Sequence, residues 1–275
     1  MNQKPTKSID QSNVSNANLV SAFFKNAVSQ GERPLLFHKK KGKWIGKSWN
    51  EVADSIKRLS GALVAAGVQP RDRVMICAEN RPEWAIADLA IMAIGAIVVP
   101  AYTTNTEDDH VYIMEHSGAV VIITSGGILA NRVALAASRV PNIRVLITMD
   151  PVTNLPDLSA TTIYTWQTLL KSTEPLVDID ARIYAQNADD VCCFVYTSGT
   201  GGRPKGVMLT HQSIQACITA AKEIGDDVDL LVLNPAKTDE IIKIKGIRTV
   251  LTFKEKEIKI LAESFTDFLT SIVKN

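Results

Sequence analysis

Apolar positions along the chain alternate between helical spacing and short β-branched runs, and this predicts helices and strands in turn. Residues 18–29 carry the helical spacing. Leu35 to His38 and Lys43 to Lys47 read as two arms of a hairpin around a Lys-Gly turn. Ser48 opens a helix with Glu51 three residues on, the spacing of a capping box. Val52, Ile56, Leu59, Leu63 and Ala66 form its apolar stripe, and Gly67 can end it.

A strand–helix rhythm follows. Strands are expected at residues 73–78, 96–102, 119–124 and 143–149. Helices are expected at 82–94, from a Thr106 cap to near Gly118, and from after Thr124 to about Arg139. A loop at 151–161 and a short helix at 165–170 lead to a β-rich run at 189–196. Short strands joined by single helices predict an α/β fold built on a doubly wound, mainly parallel sheet flanked by helices. The last fifty residues read as a β-α-β-α tail. Its strands fall at 228–233 and 249–253 and its first helix at 237–245, ended by Gly246. Ile258, Leu261, Phe265, Phe268, Leu269 and Ile272 mark one face of its final helix.

The chain has 275 residues, 46% of them apolar, enough for one large domain or two small ones. Its formal net charge of +1 implies no general attraction to nucleic acid or to an anionic membrane. The Lys39-Lys40-Lys41 run reads as a solvated hairpin tip. Cys77, Cys192, Cys193 and Cys217 form no CxxC pair and sit in apolar stretches, as expected of buried reduced thiols. His38, His110, His116 and His211 are scattered, and no metal site is expected from their spacing. Residues 1–17 are polar, lack the apolar core of a signal peptide, and are expected to form a disordered leader. Trp84 to Tyr102 is nearly all apolar, but Asp88, Gly95 and Pro100 interrupt it, so a helix followed by a strand is expected rather than a membrane span. A cytoplasmic protein is expected, with room for peripheral attachment to a membrane.

The segment Tyr196-Thr197-Ser198-Gly199-Thr200-Gly201-Gly202-Arg203-Pro204-Lys205-Gly206-Val207 carries the chemistry. A strand feeds it and an apolar run follows. Glycines let successive N–H groups converge on phosphate oxygens. Thr197, Ser198 and Thr200 add hydroxyl donors, and Lys205 adds a point charge. Pro204 stands where a Walker A loop requires glycine, and no Gly-Lys-Ser/Thr occurs, so this is neither that loop nor a Rossmann fingerprint. Composition alone leaves a plain Gly/Ser/Thr surface loop as an equal reading.

The segment resembles the phosphate loop of the adenylate-forming superfamily, which comprises acyl-CoA synthetases, luciferases and peptide-synthetase adenylation domains. The usual form is Y-T-S-G-T-T-G-x-P-K-G-V, and only Gly201 departs, standing where the second threonine is usual. His211, after Leu209-Thr210, matches a histidine found in many relatives. Upstream, Gly67 to Val74 resembles the family's G-v-x-x-G-D-x-V, with Arg71 in place of a glycine. Glu79 to Trp84 resembles its N-x-x-E-W, and Ile94 to Pro100 its G-A-v-x-v-P. The resemblance covers about residues 19–225 and is nearest to long-chain or medium-chain acyl-CoA synthetases.

The resemblance implies an AMP-forming ligase reaction using ATP, Mg²⁺ and coenzyme A, with a fatty acid as the carboxylic substrate. Thr197, Ser198, Gly199, Thr200, Gly201, Gly202 and Lys205 would hold the outer phosphates of ATP. The family's adenine, ribose and Mg²⁺ motifs and its late catalytic lysine have no match between Gly225 and Asn275, so no catalytic residue is assigned. The chain alone is expected to be inactive, and a second polypeptide supplying the missing half is a candidate partner. No nucleic-acid partner and no transmembrane segment are expected. Leu231 to Phe253 also resembles the C-terminal half of a STAS domain, a short match that carries no site residue. The expected organisation is a leader at 1–17, a partial AMP-binding domain at 18–225 and a divergent tail at 226–275. Three readings stand: a ligase-family protein, a non-catalytic nucleotide-binding fragment, or a STAS-like regulatory module.

Overall fold

The computed structural model describes residues 18–40, 43–158, 161–197, 203–224, 230–233, 241–244 and 250–251. The expected leader and the expected final helix lie outside these residues.

Helix α1 (Leu19–Gln30) starts where the Asn18 side chain accepts from the Ser21 amide. Strands β1 (Pro34–Lys40) and β2 (Lys43–Ser48) form the expected antiparallel hairpin. Helix α2 (Trp49–Ala65) opens on the capping box of Ser48 and Glu51, and both of its hydrogen bonds are made. Then come β3 (Arg73–Cys77), α3 (Pro82–Ala93) and β4 (Ile97–Pro100). The apolar stretch from Trp84 to Tyr102 thus divides into helix and strand at Gly95, whose φ of 73° makes the turn. No helix among the described residues is long and apolar enough to cross a membrane.

Helix α4 (Glu107–Ser117) begins with a second capping box, Thr106 with Asp109, and ends at left-handed Gly118. It leads to β5 (Ala119–Thr124), α5 (Gly127–Ala137) and β6 (Val145–Thr148). Strand β7 (Thr162–Thr165), helices α6 (Trp166–Ser172) and α7 (Ile179–Tyr184), strands β8 (Val191–Thr197) and β9 (Lys205–Thr210), and helix α8 (His211–Ile224) complete the main body.

Among the described residues, seven strands make one sheet in the order β7-β6-β5-β3-β4-β8-β9. All neighbours run parallel except β8 and β9. The central strands are buried on both faces, which explains their unbroken β-branched runs. Val74 and Ile76 of β3 pack with α1, α2, α3, α6 and α7, while Met75 and Cys77 point the other way toward α4 and α5. Helices therefore cover both faces, as in a doubly wound sheet.

The tail differs from expectation. Residues 241–244, within the expected helix at 237–245, are strand β11 (Ile241–Ile244), paired antiparallel with β10 (Leu230–Leu233). Strand β12 (Val250–Leu251) pairs parallel with β10. Ile241, Ile242 and Ile244 are β-branched and favour extended backbone, which outweighs the helical spacing. The tail's described part is therefore three short strands, and the rest of the expected helix at 237–245 lies outside the described residues.

Candidate functional site

Strand β8 enters the sheet beside β4, with Val98 opposite Cys193, and β9 returns antiparallel to it. The register runs from Val191 opposite Thr210 to Thr197 opposite Lys205. Two of the seven expected phosphate-contacting residues, Thr197 and Lys205, thus face each other at the hairpin mouth, both exposed. Ser198, Gly199, Thr200, Gly201 and Gly202 lie between them, outside the described residues.

Helix α4 grips the base of this hairpin. The Tyr112 hydroxyl donates to the Pro204 carbonyl at 2.8 Å, and the Arg203 guanidinium lies 5.1 Å from the centre of the Tyr112 ring. His116 Nδ1 and the Tyr196 hydroxyl share a 2.8 Å hydrogen bond. The rings of Tyr112, His116 and Tyr196 touch one another, with centroids 5.3, 5.6 and 6.4 Å apart. Burial raises the Tyr196 pKa, and neighbouring Tyr112 adds to the effect, so the phenol stays neutral. Gly206 has a local reason: a Cβ there would lie 3.3 Å from the Tyr196 ring.

Helix α4 is itself held at its C-terminal end. Arg73 donates to the carbonyls of Ser117 at 2.6 Å and Gly118 at 2.7 Å, satisfying groups that the helix leaves open. Sequence reasoning missed Tyr112 and His116, although their spacing of four on one helical face was a usable signal.

Behind the hairpin, Thr210 and Ser213 cap α8 reciprocally, each side chain accepting from the other's amide. His211 is buried, and its Nε2 lies 3.2 Å from the Gln186 amide oxygen. Burial pushes its pKa down to about 4, outweighing Asp190, so the ring is a neutral packing element. His110 behaves likewise, with a pKa lowered to about 4 by burial and then by Arg132. Its Nε2 lies 3.9 Å from Cys77 Sγ. Burial pushes that thiol up to about 12, so the pair is neutral and holds no thiolate. Cys192 and Cys193 are buried as expected, whereas Cys217 is exposed on α8.

A topological switch point lies at the carboxyl ends of β3 and β5, where the following helices leave to opposite faces. Ligands of open α/β sheets often bind at such a point. Here the protein's own groups pair with one another. Arg81 binds Asp150 with two hydrogen bonds of 2.6 and 3.0 Å, and Ser125 donates to Glu79. The Arg81 hydrogen bond holds the Asp150 carboxyl below its usual range. Asp150 also accepts from the Gly126 amide just before α5, and a Cβ at Gly126 would lie 2.7 Å from the Asp150 Cβ. Among the described residues, no group of three His, Cys, Asp or Glu is placed to hold a metal ion.

Comparison with known proteins identifies the family of the chain. The family model described as AMP-binding enzyme matches residues 23–240. The chain is 32% identical over 186 residues to the long-chain-fatty-acid–CoA ligase FadD15 of Mycobacterium tuberculosis, covering 66% of this chain and 29% of that protein. It is 28% identical over 227 residues to the long-chain-fatty-acid–CoA ligase ACSBG2 of Gallus gallus, covering 81% and 29%. The chain therefore spans under a third of the length of these relatives. Among solved structures, a benzoate CoA ligase from Burkholderia xenovorans LB400 superposes with a TM-score of 0.61 at 22% identity, covering 78% of this chain and 39% of that one. An anthranilate CoA ligase in complex with anthranoyl-AMP gives 0.62 at 18%, with the same coverage. These two similarities speak for the fold.

Proposed function

The chain belongs to the AMP-binding enzyme family, and from that we propose that it carries the ATP-gripping front part of an AMP-forming acyl-CoA ligase acting on a fatty acid. The observation that carries this reading is the hairpin mouth, where Thr197 faces Lys205 across the glycine loop and α4 fixes the strand ends through Tyr112 and His116.

In the proposed reaction a carboxylate oxygen attacks the α-phosphorus of ATP, and pyrophosphate leaves. The thiol of coenzyme A then attacks the acyl carbon, and AMP leaves. This chain's part is to position the leaving pyrophosphate. The backbone N–H groups of residues 198–202 and the Thr197 hydroxyl donate to the β- and γ-phosphates, and Lys205 offsets their charge. A rigid strand pair beneath the loop lowers the ordering cost of that grip. Mg²⁺ would neutralise further phosphate charge, but the described residues offer no ligand set, so no residue is assigned to it.

Lys205 sits at the outer phosphates in this arrangement and cannot also align the carboxylate with the α-phosphorus. The groups that do so belong to the part of the relatives that this chain does not span. The division near residue 225 is part of the same proposal. The test is ATP and AMP titration of the purified chain, together with hydroxamate trapping of acyl-adenylate across fatty acids of varied length. Saturable binding of ATP over AMP without turnover is expected. Equal affinity for AMP would overturn the phosphate grip, and robust turnover would show that the carboxylate-aligning groups lie within these residues.

A further inference from the structure

Two cations stand in the segment from Tyr196 to Val207, and the proposed grip uses Lys205 while leaving Arg203 without a task. The register separates them. Side chains alternate along a strand, and paired residues share a face. Tyr196 turns toward α4, where its hydroxyl meets His116, and Gly206 lies opposite it on that face. Thr197 and its partner Lys205 therefore turn to the other face. Arg203 comes back to the α4 side, its guanidinium carbon 5.1 Å from the centre of the Tyr112 ring. The hairpin mouth thus has one cation on each side.

Tyr112 restrains both the backbone and the side chain here. Its hydroxyl fixes the Pro204 carbonyl at 2.8 Å, while its ring meets the Arg203 charge within the roughly 6 Å reach of a cation–π contact. Such a contact is an ordinary position for a surface arginine. The rest of its surroundings set Arg203 apart. A ring contact takes up the charge and leaves the N–H donors of the guanidinium. Among the described residues none of those donors has a hydrogen-bond acceptor or a carboxylate. The α4 carboxylates Asp108 and Asp109 are engaged elsewhere, Asp108 with Arg139 and Asp109 with the Thr106 cap. Arg203 is thus exposed, oriented and unneutralised where the loop begins its return.

We infer that Arg203 is a second phosphate-binding cation of this site, held by Tyr112 on the face opposite Lys205. The inference rests on the proposed phosphate grip and adds a residue to it. A terminal phosphate carries a charge of about −1.5 to −2 near neutral pH, more than one lysine offsets. A guanidinium offers a planar fork that matches two phosphate oxygens at once, where an ammonium is a point charge. Orienting that fork on a ring beforehand lowers the ordering cost of the contact. AMP lacks the outer phosphates, so Arg203 sharpens the preference for ATP.

The test is calorimetric titration of ATP, pyrophosphate and AMP into the full chain and its variants. Arg203→Gln should weaken ATP and pyrophosphate about tenfold, the lower end for a charge-assisted contact, and leave AMP unchanged. Arg203→Lys keeps the charge without the fork and should recover part of the loss. Raising salt from about 0.05 to 0.5 M should weaken ATP less in Arg203→Gln than in wild type, because one screened contact is gone. An arginine that merely braced the loop would lower affinity without changing that salt dependence. The platform is tested by a double-mutant cycle: Arg203→Gln should still cost about tenfold beside Tyr112→Phe, which keeps the ring, and little beside Tyr112→Leu. Urea unfolding shows whether the leucine variant stays folded, and the Arg203 variants alone decide the matter if it does not. Wild type that prefers ATP while Arg203→Gln binds it equally well, or loses affinity with an unchanged salt dependence, overturns the inference and leaves the phosphate grip standing. Wild type with no preference for ATP over AMP overturns both.

Discussion

The Tyr112 hydroxyl donates to the Pro204 carbonyl across 92 residues of chain, joining α4 to the mouth of the β8–β9 hairpin. Tyr112→Phe removes this bond and keeps the ring beneath Arg203. A neutral hydrogen bond contributes about 0.5–1.5 kcal/mol, so ATP affinity should fall by roughly two- to tenfold. Global stability should change by no more than the same amount. Paired ATP titration and urea unfolding separate the two effects, and an unchanged ATP affinity would mean that the loop is positioned without α4.

Lys205 is exposed at the same mouth. Lys205→Ala should weaken ATP and pyrophosphate and leave AMP as before, because AMP lacks the outer phosphates. A charge-assisted contact is worth about 1.5–3 kcal/mol when desolvated, and the exposure of Lys205 puts the expected loss at the lower end. Calorimetric titration of the three ligands into both proteins measures this.

Asp88 is fully buried on α3, and neither of its carboxylate oxygens has a hydrogen-bond partner. Burial raises its pKa well above the usual value, so the folded state holds a proton that the unfolded chain releases. Its stability contribution is complete below pH 3.8 and declines as pH rises toward the folded pKa, by at most about 1.4 kcal/mol per pH unit. Asp88→Asn cannot titrate. Relative to wild type it should therefore gain stability between pH 5 and pH 8, measured by urea unfolding at both. A pH-independent difference would show that Asp88 has a partner in solution.

His110 and His211 work in the opposite direction. Their folded pKa values of about 4 lie below the unfolded 6.5, so they support the fold above pH 6.5 and cease to as pH falls through 4. Each can remove on the order of 3 kcal/mol by pH 4. NMR titration of the imidazole C–H protons should show the His110 and His211 signals unmoved above pH 5. Titration of either of these two near 6.5 would contradict its burial.

Much of the fold was legible in local chemistry. The capping boxes at Ser48 and Thr106, the left-handed Gly118 and the β-branched central strands each depend on a few adjacent residues. Strand β7 was not legible, since Thr162 to Thr165 is an exposed edge of four residues with no apolar alternation. Helix α7 has six residues and no side-chain cap, so nothing announces its start. The reversal at β9 followed only from the register of two strands. At the candidate site, the loop was visible as a motif. Its supports Tyr112 and His116 come from 92 and 80 residues away, and only the sheet order brings them beneath it.

One departure from the family pattern has a measurable cost. Arg71 stands where the G-v-x-x-G-D-x-V pattern it resembles has glycine, and its φ is 69°, in the left-handed region that glycine favours. The local structure demands that angle. Pro70 precedes it, and the Asp72 amide donates to the Gln69 carbonyl at 3.0 Å, so residues 69–72 have the make-up of a type II turn with Arg71 third. The Arg71 amide also donates to the Gly95 carbonyl at 2.7 Å, which fixes the turn against the start of β4. Little compensates on the side-chain side: the guanidinium is 85% exposed and lies 3.9 Å from Asp190, a contact of slight value. A left-handed L-residue costs about 1–2 kcal/mol. Glycine returns roughly 0.5–1 kcal/mol of that through its freer unfolded chain. Arg71→Gly should therefore stabilise the protein by up to about 1 kcal/mol. Arg71→Ala removes the same charge and keeps the strain, so it should be neutral or slightly destabilising. Urea unfolding of the three proteins separates strain from charge: a glycine variant no more stable than the alanine variant would mean that the turn relaxes in solution and carries no strain.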